Sequence, residues 1–208
     1  MKEVLRTMDA LADKFAITEL IYAWGLYRDL GKWKELRTTF THDGHISVSW
    51  FRGPFEIFVE RCRTSSAAGH TWSRHHLFAP LIKLDKARAV AETSAIIRVR
   101  QKFGAVDVDL TSCSRVLDRV ERHAGGWLIA ERAAIYERDR LDPVEPSPEF
   151  DALFEAGTAH YPEQYRYMAF RIAHAEGRSL APIVYRDGGK ETADLYARFS
   201  AWLAGGTA

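Results

Sequence analysis

Between Ala89 and Phe103 the chain alternates with a period of two. Ala91, Thr93, Ala95, Ile97, Val99 and Phe103 fall on one side, and Glu92, Ser94, Arg98, Arg100 and Lys102 on the other. Successive side chains of a strand point to opposite faces, so this stretch is a long strand with one buried face. Val106 to Val120 alternates again through Val106, Val108, Leu110, Ser112 and Val116, and Gly125-Gly126 turns the chain into a further run, Trp127 to Tyr136. Upstream, His45 to Phe51 reads as a short strand after a turn at Asp43-Gly44, and Gly69 to Leu84 as a strand ending in a turn at Asp85-Lys86. Consecutive long strands joined by short turns form an antiparallel meander, and its apolar face must be covered.

The cover is predicted to be the helix Ala12 to Trp33. Ile17, Leu20, Ile21 and Trp24 follow i, i+3, i+4, i+7 spacing and make one apolar stripe. Beside it run Thr18, Tyr22, Gly25 and Asp29, so a carboxylate sits at the edge of a core-facing surface. Gly31 stops the helix and a shorter one follows (Trp33, Leu36, Phe40). Residues 1–11 read as a frayed lead-in whose Met8 and Leu11 reach the core. Gly53-Pro54 opens another helix, packed through Phe55, Phe58, Val59 and Cys62. The predicted fold class is α+β: a curved antiparallel sheet wrapped as a cone around the long N-terminal helix, with one open mouth.

Leu141 to Pro148 carries three prolines in eight residues and reads as a linker. It separates a cone domain, residues 1–142, from a C-terminal helical extension, residues 143–208. The extension has apolar faces in Phe150, Leu153 and Phe154, in Tyr161, Tyr165, Met168 and Ile172, and in Leu195, Phe199 and Trp202. It is expected to pack on a cone, its own or a neighbour's, either closing the mouth or burying the outer face of the sheet.

The 29 basic and 28 acidic residues give a net charge of +1, with no footprint for nucleic acid or an anionic membrane. No apolar run approaches the ~18–20 residues of a membrane span, and the charged first residues have no signal-peptide core. Cys62 and Cys113 are too few for a disulfide framework, so a cytoplasmic location is expected. Metal-ligand spacings, phosphate loops and the GxSxG elbow are missing, so neither a metal nor an organic cofactor is expected.

The stretch LIYAWGLYRDLGKWKELRTTFTHDG resembles the opening of SnoaL-like proteins of the nuclear transport factor 2-like superfamily. There a long helix ends in Asp, a Trp follows four residues later, and a short helix runs into Phe-Thr-x-Asp-Gly. The matching residues are Asp29, Trp33 and Phe40-Thr41-His42-Asp43-Gly44. Ser73-Arg74-His75, then Pro80 and Ile82, match a second signature, and the resemblance covers residues ~10–142. The family includes scytalone dehydratase, a dehydrochlorinase, polyketide cyclases and ketosteroid isomerase-like enzymes. The first two pair this Asp with a sheet His.

The resemblance therefore implies an Asp29–His75 acid/base dyad. Chemically, a histidine abstracts a proton near neutral pH, and a carboxylate on its other nitrogen fixes the tautomer and stabilises the imidazolium. Without the resemblance, the same two residues read as a solvated helix-end Asp and a core His. Only one of His75 and His76 can face the cone interior. The family's seven-residue spacing from the histidine to an apolar strand residue fits His75 to Ile82, leaving His76 as the alternative base. Tyr22, Tyr27, Trp50 and Arg132 are the substrate-binding candidates, with His45, His70 and Tyr136 behind them. Arg28 stands where scytalone dehydratase carries a tyrosine, and Ala79 where many relatives carry Asn. Cys62 reads as core.

The implied activity is a cofactor-independent lyase, of dehydratase or retro-aldol type, on a small hydrophobic hydroxylated substrate of aromatic or polyketide-like character. The alternatives are an isomerase or cyclase of the ketosteroid isomerase type, or a non-catalytic subunit resembling the small subunit of ring-hydroxylating dioxygenases. The expected partners are a small-molecule substrate and further copies of the chain, as a dimer or trimer, with no nucleic acid and no membrane.

Overall fold

The computed structural model describes residues 2–67, 72–148, 150, 158–174 and 177–206. Helix α1 (Lys2–Asp29) is followed by α2 (Trp33–Arg37), strands β1 (Phe40–Val48) and β2 (Phe51–Pro54), and α3 (Phe55–Ala67). Then come β3 (Trp72–Leu77), β4 (Leu81–Asp85), β5 (Arg88–Phe103), β6 (Val106–His123) and β7 (Gly126–Pro143). The C-terminal part holds a 3-10 turn (Glu163–Tyr165), α4 (Arg166–His174), β8 (Tyr185–Arg186) and α5 (Lys190–Leu203).

One sheet runs β2-β1-β7-β6-β5-β3, with β4 also paired to β5 and β8 to β7. β5, β6 and β7 form the antiparallel meander that their alternation predicts, whereas β1 and β8 join β7 in parallel. Register shifts between β6 and β7 at Cys113/Ser114 and Arg119/Val120 bend the long hairpin, since a bulge kinks and twists a ladder. The sheet therefore curves around α1.

Ile17 and Ile21 of α1 are fully buried against Ile82, Ala89, Ala91, Val120 and Trp127. Trp24 enters a second cluster with Leu36, Phe40, Phe55, Phe58 and Cys62. Gly25 permits this docking: a Cβ there would lie 2.9 Å from Leu77 Cδ1 of β3.

Several local expectations are corrected. Helix α1 starts at Lys2, and Met8 and Leu11 are exposed, because ~100° per residue puts them near the side opposite Ile17. α2 ends at Arg37, and Phe40 begins β1. Asp43-Gly44 lies inside β1, where the pairing with β7 shifts register between Phe40 and His45, so these residues serve an irregularity in the ladder instead of a turn. The long strand expected before Asp85 is two strands, broken at Phe78–Pro80, where proline has no N–H for the ladder. β7 runs on to Pro143, into the expected linker. His70, Leu153 and Phe154 lie outside the described residues.

The C-terminal part divides between the two faces of the sheet. Phe150, Met168, Phe170 and Ile172 pack with Val99, Phe103, Val108, Leu110, Tyr136 and Leu141 on the inner side. Leu195 and Phe199 of α5 pack with Leu117, Ala133 and Ile135 on the other. Among the described residues, no helix is long and apolar enough to cross a membrane.

Candidate active site

Asp29 is the last residue of α1, and His75 lies mid-strand in β3, which packs against that helix. Asp29 Oδ1 lies 2.6 Å from His75 Nδ1, and the backbone N–H of His75 donates to Asp29 Oδ2, also at 2.6 Å. The carboxylate thus holds one residue at two points. Burial raises the Asp29 pKa, but the hydrogen bonds and charge of His75 outweigh it and leave the carboxyl below its ordinary value. An ionised carboxylate only accepts, so His75 Nδ1 is the donor, which in the neutral ring makes Nε2 the acceptor. Trp24 fixes the ring edge-on, with centroids 5.5 Å apart.

Both residues line a cavity of about 480 Å³ beside the C-terminal end of α1, within the size range of small-molecule sites. Trp24, Val48, Trp50, Phe58, Ile97 and Val99 supply apolar wall. Trp50 stacks on Phe58 with centroids 5.3 Å apart. Met168 and Arg171 of α4, with Arg178 just beyond it, line the same cavity, so the C-terminal part contributes directly to the site. A larger depression of about 730 Å³ lies against α5 and β1 and contains neither Asp29 nor His75.

The other sequence candidates divide. Trp50 is in the cavity wall, as expected for an aromatic contact. Tyr22 and Tyr27 are half-buried and outside the lining. His76 is exposed, because strand alternation turns it away from the face that His75 occupies. Arg132 is buried, but its guanidinium pairs with Asp118 at 2.7 and 2.8 Å and lies 4.1 Å over the Trp24 ring, so it backs the wall instead of facing a ligand. His45 is exposed and binds the Asp43 carbonyl. Cys62 is a core residue whose thiol is pushed up by burial, and it also touches the cavity.

Tyr136 deserves a higher rank than its sequence context suggests. It lines the cavity, and its hydroxyl oxygen accepts the Ser49 N–H at 2.9 Å, which leaves its own proton to donate. Burial raises its pKa and keeps it protonated. Its signal in the sequence was parity alone: it follows Arg132 and Ala134 on one face of β7.

A family model described as a SnoaL-like domain matches residues 9–133, well over half of the 208. The chain belongs to the SnoaL-like family. Pea pathogenicity protein 2 of Fusarium vanettenii is 27% identical over 165 residues, covering 78% of this chain and 70% of that one. Among solved structures, an NTF2-like protein with a cystatin-like fold from Novosphingobium aromaticivorans matches with TM-score 0.52 and 19% identity, over 73% of this chain and 95% of its own. A type 2 hexachlorocyclohexane dehydrochlorinase matches with TM-score 0.55 and 12% identity, over 68% and 95%. At such identities the structural likeness concerns the fold. Membership of the SnoaL-like family is consistent with an enzyme of lyase or isomerase type. The model match ends at residue 133, so Tyr136, Met168, Arg171 and Arg178 of this SnoaL-like protein lie beyond it.

Proposed function

We propose that this protein is a cofactor-independent lyase of the dehydratase type, acting on a small, largely apolar, hydroxylated substrate. The two-point hold of Asp29 on His75 beside a cavity with mixed apolar and polar walls is the observation that carries this reading. His75 Nε2 takes a proton from a carbon made acidic by an adjacent carbonyl or phenol. Asp29 stabilises the imidazolium that forms and keeps the ring aimed. The electron pair of the broken C–H bond forms the new double bond as the hydroxyl leaves, and the Tyr136 O–H protonates that oxygen, so that water departs. His75 then loses its proton to solvent, and Tyr136 regains one.

Replacement tests the dyad. His75→Ala and Asp29→Asn are each expected to lower turnover by about 10²–10⁴-fold with the fold unchanged. The double variant should be little worse than either single one, because the pair acts as a unit. Mass spectrometry of the product should show the loss of water. Additive losses would remove the dyad, and a product of unchanged mass would assign the chemistry to isomerisation.

A further inference from the structure

Two arginines flank the dyad. Arg28 immediately precedes Asp29 at the end of α1, and Arg74 immediately precedes His75 on β3; both residues border the cavity. Arg74 is fixed in place: its Nη1 donates to the carbonyls of Asp29 at 3.2 Å and Ser73 at 2.7 Å, and its guanidinium lies 5.0 Å over the Trp72 ring. Arg28 lies 6.0 Å over Trp33. Neither forms an ion pair with a carboxylate side chain among the described residues. The carboxylate in the described lining is Asp29, and both of its oxygens are engaged by His75.

A third arginine of the lining adds to the same charge. Arg178 sits 4.6 Å over Trp50, which is itself stacked on Phe58. Arg178 has its pKa lowered, first by burial and then by the like charges of Arg171, Arg61 and Arg28. Cations gathered along one cavity attract an anion, and more strongly where the walls exclude water, because screening is weaker there. A guanidinium fork matches a carboxylate in shape as well as in charge.

We propose that the cavity selects an aromatic substrate bearing a carboxylate, with the ring against the Trp50–Phe58 stack and the carboxylate on Arg28 and Arg74. The inference deepens the lyase reading by naming the substrate class, and rests on it only for the ring's approach to His75. A substrate anion there would sit beside the dyad and orient the acidic C–H towards Nε2.

Isothermal titration of the full chain with 2-naphthoate and its neutral isostere 2-naphthamide tests the proposal. The carboxylate should bind at least about tenfold more tightly than the amide, the scale of a charge-assisted hydrogen bond, and its advantage should shrink as salt is added. Arg28→Gln and Arg74→Gln should each weaken naphthoate by about tenfold while leaving naphthamide within roughly a factor of two. Arg28→Lys should retain part of the preference. Equal affinity of the two probes for the wild-type protein would overturn the proposal, as would Gln variants that affect both probes alike or neither. His75→Ala should keep the naphthoate preference. Failure of the lyase reading would therefore show as turnover unaffected by that variant, and failure of this one as lost discrimination between the probes.

Discussion

Arg132 reads in the sequence as a cation on the last strand, facing a ligand. Its partner is instead Asp118, directly across the β6–β7 ladder, and the two are 1% and 0% exposed. Strand alternation already puts Asp118 on the face of Val116 and Leu110, where a carboxylate requires a cation. The pair was legible once β6 and β7 were set in register, and invisible without that long-range step. Replacing Arg132 with Met should lower the unfolding free energy by about 3–5 kcal/mol, since it leaves Asp118 buried and uncompensated. Urea unfolding measures this, and adding Asp118→Asn to the variant should recover part of the loss. A variant as stable as the wild type would mean that the pair contributes nothing net. Asp29 and His75 stood out as a pair only through the resemblance to SnoaL-like proteins, since by local pattern alone they read as a solvated helix-end Asp and a core His. Ser49 and Tyr136, 87 residues apart and joined by a hydrogen bond, did not stand out, because no local pattern reports such a contact.

At the scale of elements, periodicity located β5, β6, α3 and the core stripe of α1, because each alternates between water and core along its own length. It could not say which face of the sheet each C-terminal helix would take. That choice depends on contacts such as the one from Asp139 on β7, whose Oδ2 accepts the Met168 N–H of α4 at 2.7 Å. Burial raises this carboxyl from 3.8 to about 6, against the opposing pull of the Met168 and Tyr167 backbone N–H groups. The folded state thus holds the proton to a higher pH than the unfolded chain. The stabilisation tied to that proton is fully present below 3.8 and is lost as pH rises through about 6. Thermal melts across this window should show a smaller fall in Tm for Asp139→Asn than for the wild type. An identical slope in both proteins would assign the pH dependence to other groups.

For the whole molecule, the C-terminal part has two tasks on opposite faces of one sheet. α4 and the segment after it bring Met168, Arg171 and Arg178 to the cavity, whereas α5 buries Leu195, Phe199 and Trp202 away from it. Lining of the cavity and cover for the outer face are therefore divided between successive helices, and the two contributions can be separated by mutation. Phe199 is 1% exposed and packs with Leu117, Ala133 and Ile135, so Phe199→Ala should cost about 3–5 kcal/mol of stability. None of its neighbours in that cluster lines the cavity, so the affinity of the protein that remains folded should be unchanged. Met168→Ala should also destabilise, by about 2–5 kcal/mol, but it enlarges the cavity and removes a wall contact as well. Its affinity for 2-naphthamide should therefore fall while that of Phe199→Ala does not. Chemical denaturation and titration on the same two variants decide the matter: a Phe199→Ala protein with weakened binding, or a Met168→Ala protein with unaltered binding, would show that the two faces do not divide the work in this way.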